Sequence, residues 1–369
     1  MIGGYMRLRS FWIVICILML GAFLHTETIR ANLPQSDLDN YRMRFGYKVK
    51  ALNTNLPDKS LFKQGLILLN YSHDYLSAEL IFRYLAEKHP SNPEYLYYQS
   101  RASFFVGQYN YFPNSKLPYE ISLKYINKAL EFDNHNGKYL LMKAYALGQV
   151  GLVIKANEGG FFSSLKYLQA ANLVLDMIIG KTDVADQPEP FIKSVIEKGG
   201  PYVEAVLTRG EIYHGAPSAL GGSPAKALKL YNYVAARWKN NPRVYYLMGK
   251  YYSSQRQHAI ALSKYQEARK VILSGLAPKT PETQYFYAFV PRNMGKALWS
   301  LKRKKQACTE FSKHISRRFT SSDGYKWVAY CHLKKGQKDK AIKLLKLSLY
   351  YDKHNKGAKN RLSLLAKKH

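Results

Sequence analysis

Residues 242–271, PRVYYLMGKYYSSQRQHAIALSKYQEARKV, decide the fold. Tyr245, Met248, Gly249 and Tyr252 recur three or four residues apart, the spacing of one helix face. Ala261, Tyr265 and Ala268 do the same in a second run. Gly249 lets the first helix approach its partner closely, and Ala261 and Ala268 permit the same approach from the other side. The Tyr and Met side chains fill the space around that crossing. No acid–base pair and no metal-ligand set stands in the stretch. Its regularity therefore reads as packing, two helices joined by a short turn.

The same stretch follows the spacings W-x2-L-G-x2-Y and A-x3-F. In this it resembles a tetratricopeptide (TPR) repeat, a helix–turn–helix unit. The pattern recurs in phase. Ala227 with Tyr231 precedes it, and Ala307 with Phe311 follows, with Met294–Gly295 ahead of that pair. Ala341 with Leu345 comes next, after Tyr325, Val328 and Ala329, with Gly336 between. Near the N-terminus Phe62, Ala78, Phe82 and Pro90 fall at repeat positions, and Ser122, Ile126 and Ala129 form a looser copy. Residues 137–180 read as another pair interrupted at ANEGG. Helical periodicity runs almost throughout, with Pro and Gly between the runs and no period-2 strand. The resemblance implies an all-α solenoid of about seven helix pairs. Divergent repeats are expected over 34–180 and clearer ones over 201–369. KTDVADQPEPFIKSVIEKGGP between them is expected as a linker, or as a long loop inside one array.

Ahead of the repeats, Arg7 and Arg9 precede an apolar run from Phe11 to Leu24. That run suits an export signal over residues 1–31, cleaved near Ala31, or an uncleaved anchor that touches the inner membrane. A periplasmic or envelope location follows from either reading. Cys16 follows Ile15, which does not fit a lipoprotein signal. Cys308 and Cys331 are the remaining cysteines. They are expected as two buried thiols, with a bridge as the alternative in an oxidising compartment.

Chemistry is sparse. No G-x-x-x-x-G-K-[ST], G-x-G-x-x-G, H-E-x-x-H or C-x-x-C is present, and no carboxylate pair offers an acid and a base. No catalytic residue, metal site or cofactor is expected. His73, His258 and His314 read as surface or internally satisfied side chains. The most individual motif is YHGAPSALGGSPAKALKLY, residues 213–231. Gly221 and Gly222 permit a tight turn, while Ser223 and Pro224 supply a helix cap and first-turn proline. This stretch is also similar to one in the periplasmic T-component of TRAP transporters, at Gly215, Ala216, Pro217, Gly221, Gly222, Pro224 and Ala227. That resemblance implies a transport accessory protein that binds an apolar ligand and docks a solute-binding protein.

Charge carries more information. The formal net charge is +31 over 369 residues, and 31 of these are Tyr. From Lys296 to His369 there are 21 Lys or Arg against 4 Asp or Glu. LKRKK at 301–305 and HLKKGQKDKAIK at 332–343 fall in turns between helices. Such a surplus implies an anionic partner or surface. A TPR array binds along the face lined by its first helices. In this register that face carries Tyr246, Lys250, Arg292, Asn293, Lys296, Trp299, Lys326 and Tyr330. Cations interleaved with aromatic rings suit an acidic protein segment. The expected function is a non-catalytic envelope scaffold, with the transport accessory as the alternative. Nucleic acid is not an expected partner, because an export signal separates the chain from it and no recognition motif is present.

Overall fold

Four helices begin where the sequence supplies a cap and a proline. Asn92, Ser223, Asn241 and Thr280 each accept a backbone N–H from the first turn, and Pro93, Pro224, Pro242 and Pro281 follow them. The side-chain oxygen satisfies an orphan donor, and proline loses nothing at a position whose N–H has no partner. The computed structural model describes residues 55–109, 115–157, 161–218, 221–277, 280–318 and 320–366. Among them are sixteen α-helices and no strand. The expected signal or anchor over 1–31 lies outside the described residues.

Seven antiparallel pairs follow one another. They are α1 (Asp58–Ile67) with α2 (Tyr75–Lys88), α3 (Pro93–Gln108) with α4 (Leu117–Phe132), and α5 (Gly137–Asn157) with α6 (Phe161–Ile179). After α7 (Glu189–Glu197) come α8 (Gly200–Gly215) with α9 (Pro224–Arg237), and α10 (Pro242–Ser254) with α11 (His258–Leu273). The last pairs are α12 (Pro281–Ser300) with α13 (Lys304–Arg317), and α14 (Ser322–Lys334) with α15 (Lys338–Tyr351). Helix α16 (Lys356–Ala366) packs on α15 and ends the stack.

One contact repeats and fixes the crossing inside the pairs. A Cβ built on Gly249 would lie 2.4 Å from the Tyr265 ring. Gly295 faces Phe311 at 2.5 Å, Gly210 faces Tyr231 at 2.6 Å and Gly65 faces Phe82 at 2.8 Å in the same way. Each ring thus occupies the space that a Cβ would need, so a side chain at the glycine would have to displace it. Ala78, Ala227, Ala261, Ala307 and Ala341 on the second helices are fully buried. The first pair has one more residue between its glycine and ring than the Gly249 and Gly295 pairs, and a π-helical turn over Leu68–Ser72 lies in that interval.

Two segments differ from expectation. Where a linker or long loop is expected over 181–200, the chain forms a 3₁₀ turn (Val184–Asp186) and then α7. Ile192, Val195 and Ile196 of α7 enter the main core with side chains of α8 and α9. Cys308 of α13 and Cys331 of α14 form a disulfide, Cα–Cα 5.8 Å, in place of the expected pair of thiols. These residues face each other across neighbouring pairs, at an ordinary separation for a bridge.

The array curls until distant repeats meet. Arg101 of α3 makes a two-pronged ion pair with Glu282 of α12, at 2.7 and 2.9 Å. Beyond it, Arg318 donates to the carbonyl of Gln108, and the Thr320 hydroxyl donates to that of Tyr109 at 2.6 Å. The π-helical turn also touches α12. Among the described residues no helix is long and apolar enough to cross a membrane.

Candidate functional site: a cationic inner face

The expected residues stand on the first helices α10, α12 and α14. Their charges are largely met from within. Lys250 pairs with Glu211 at 2.5 Å. Arg243 donates to Glu204 at 2.6 Å, to the Tyr145 hydroxyl at 2.7 Å and to the Thr208 hydroxyl at 2.9 Å. Partial burial alone would raise the Glu211 carboxyl, but Lys250 and Arg243 outweigh it and hold the group down at about 2.

The exception is the next cluster. Asp323, in the first turn of α14, receives Lys326 at 2.5 Å, Lys296 at 2.8 Å and Arg292 at 3.3 Å. Three cations share one carboxylate, so two positive charges stand in excess. Burial would raise the Asp323 carboxyl, yet the three cations together hold it well below the usual carboxylate range. Lys296 is pushed down, first by burial and then by the Arg292 charge. Its side chain remains 35% exposed, and those of Arg292 and Lys326 are 25% and 17% exposed. The cluster is therefore fixed but within reach of a partner.

A further cation lies deeper. Arg318 is buried, with its guanidinium 4.4 Å from the Phe289 ring centroid and 5.4 Å from that of Tyr109. Among the described residues it has no carboxylate partner, and burial pushes its pKa down. His314 nearby is fully buried and internally satisfied. Its Nδ1 donates to the Ala288 carbonyl at 2.6 Å, and its Nε2 accepts from the Ser321 hydroxyl at 2.8 Å. Burial, with Arg292 and Arg318 adding to it, lowers this imidazole to about 3, so it is neutral at ordinary pH.

Tyr246, Lys250, Arg292 and Asn293 line an open cavity of about 370 Å³, with Tyr265, Tyr285 and Phe289 also on its walls. Arg292, Lys296 and Lys326 join at Asp323. The other expected aromatics are engaged elsewhere. Trp299 packs on Trp327 and Phe311, with centroids 5.6 and 6.4 Å away. The Tyr330 hydroxyl donates to the Gly357 carbonyl of α16, and Arg361 covers the ring. Tyr246 is itself packed between Phe286 and Tyr265 and only 5% exposed.

A second cavity, of about 450 Å³, is lined by Tyr97, Tyr98, Tyr145 and Trp238, with the Arg101–Glu282 pair on its wall. Among the described residues of 213–227 only His214 lines either cavity. The GGSP stretch is a turn. A Cβ on Gly222 would meet the Ala216 carbonyl oxygen at 1.9 Å, and the Ser223 hydroxyl caps α9.

Sequence reasoning missed Asp323, Glu211, Arg243 and Arg318. Asp323 and Glu211 lie on first helices one pair away from cations they meet, so extending the repeat register to acidic residues would have found them, and Arg243 lies two turns before Lys250 on the same helix. Arg318 lies in an inter-pair turn and carries no such signal.

No protein-family model matches the chain, and no curated protein matches it. Among solved structures it is similar to a monomeric mutant of IFIT1 bound to m7Gppp-AAAA, with a TM-score of 0.57 and 12% identity over 90% of this chain and 67% of that one. It is also similar to a tetratricopeptide repeat protein from Parabacteroides merdae, with a TM-score of 0.46 and 12% identity over 84% and 98% of the two chains. MamA matches with a TM-score of 0.35 and 19% identity over 52% and 95%. The paired helices and their recurring glycine–ring contacts, together with the likeness to the IFIT1 structure, show a tetratricopeptide-like repeat fold.

Proposed function

We propose that the chain is a non-catalytic scaffold of the cell envelope that captures an acidic protein segment on its inner face. The observation that carries this reading is Asp323, one carboxylate shared by Arg292, Lys296 and Lys326. A partner carboxylate arriving there meets cations already desolvated and held in place, so little ordering is required. The surplus of basic residues from Lys296 onward raises the encounter rate with such a partner. The Cys308–Cys331 bridge supports an oxidising compartment, in keeping with the apolar run near the N-terminus. Partly buried rings such as Tyr285 beside the cluster supply apolar contact area for the segment's neighbouring side chains.

The test is capture of partners from envelope extracts by the wild type and by an Arg292→Glu/Lys296→Glu variant, with helicity monitored by circular dichroism. Partner capture is expected to fall while helicity is retained. Unaltered capture by a folded variant rejects the inner face as the site.

A further inference from the structure

Every first helix runs the same way, so the turns inside successive pairs lie along one edge of the stack. Three of these turns share a backbone, with one residue in the left-handed region. That residue is Gly336 in the last (φ 72°), but Arg256 and Lys302 in the two before it (φ 59° and 64°). A side chain is strained there and glycine is not, so Arg256 and Lys302 each cost some local stability. Lys302 has Lys305 beside it, and the next turn brings Lys334, Lys335 and Lys340, all exposed. Among the described residues none of these five lysines pairs with a carboxylate.

We propose that this rim docks on an anionic lipid surface. Peptide sites depend on buried aromatic or arginine anchors, and single-stranded nucleic acid stacks on exposed rings. Residues 302–305 and 334–340 contain no aromatic side chain, and their one arginine, Arg303, is exposed rather than buried. Lysine is a compact, hydrated charge on a flexible stem, which matches a diffuse field of headgroups. Each lysine near such a surface adds its own increment of attraction. The rim shares no residue with the Asp323 cluster, so either assignment can fail without the other.

The experiment is co-sedimentation of the full chain with vesicles of phosphatidylcholine, alone or mixed about three to one with phosphatidylglycerol. The apolar run at 11–24 is present with both vesicles, so the difference between them reports charge. Binding is expected to be stronger with phosphatidylglycerol and to weaken as salt is added. A Lys302→Glu/Lys305→Glu/Lys335→Glu/Lys340→Glu variant should lose that difference by about tenfold or more. Arg292→Glu/Lys296→Glu should keep it. Lys302→Gly guards against misfolding, because it should raise the melting temperature while weakening lipid binding. Phosphatidylglycerol-dependent binding that survives in the rim variants overturns the proposal. So does a rim variant that keeps vesicle binding but loses binding to polyglutamate or to a single-stranded DNA oligonucleotide.

Discussion

At the scale of the residue, the contact that builds the fold is a glycine against a ring. Gly249 and Tyr265 stand in one repeat motif, and their approach was legible because the spacing that reveals the helices also assigns their faces. Any side chain at Gly249 must displace a ring that a Cβ already meets at 2.4 Å. Ala261, fully buried, has no room either. Gly249→Leu or Ala261→Leu should destabilise the protein by at least about 2 kcal/mol through overpacking. Thermal or denaturant unfolding measures this, and an unmoved transition would contradict the register. His314 was legible only as a satisfied imidazole, because its partners come from the Ala288 carbonyl on α12 and Ser321 ahead of α14. Its folded pKa is about 3, against an ordinary value of 6.5. The unfolded chain therefore takes up a proton that the folded one refuses. The neutral imidazole's contribution is complete above about pH 6.5 and is lost as the pH falls towards 3, by about 1.4 kcal/mol per unit. Replacement of His314 by Gln should flatten that part of the stability–pH curve.

At the scale of the element, α12 shows how a helix survives its own proline. Pro291 has no N–H to offer the Tyr287 carbonyl, and Arg317 of α13 donates to that oxygen instead, at 3.0 Å. The guanidinium also lies 3.6 Å over the Tyr287 ring. Neither feature was legible, since the proline sits inside a helical pattern and its remedy lies on another helix. The turn at 221–224 was legible, because Gly-Gly-Ser-Pro states its backbone and its cap directly. Helix α7 was not, because Pro188, Pro190 and the acidic residues before them resemble a linker. The signal there was Ile192, Val195 and Ile196, spaced for one helix face. The Cys308–Cys331 bridge joins α13 to α14 across a sequence separation of 23. Closing a loop of that length contributes about 3 kcal/mol in the chain-entropy account. Cys308→Ser/Cys331→Ser should lower stability by that order. Dithiothreitol should have the same effect on the wild type and none on the variant.

At the scale of the whole molecule, charge was legible as a sum and illegible as an arrangement. The basic C-terminal half is plain in the sequence, but the pairing of Lys250 with Glu211 and of Arg101 with Glu282 depends on how the repeats curl. Small rotations between neighbouring pairs accumulate until α3 meets α12, a closure that no local spacing encodes. Most cations of the expected face are consequently already answered by carboxylates of neighbouring repeats. The surplus is concentrated at Asp323, where a bound partner would have to compete with one resident carboxylate. The most direct measurement is the affinity of a glutamate-rich peptide for the wild type and for Asp323→Asn, by fluorescence anisotropy at low salt. Removing the resident charge should tighten binding by about fivefold or more, with a steeper salt dependence, while lowering thermal stability. A folded Asp323→Asn variant whose affinity is unchanged or weaker would contradict a cationic inner face that receives acidic partners.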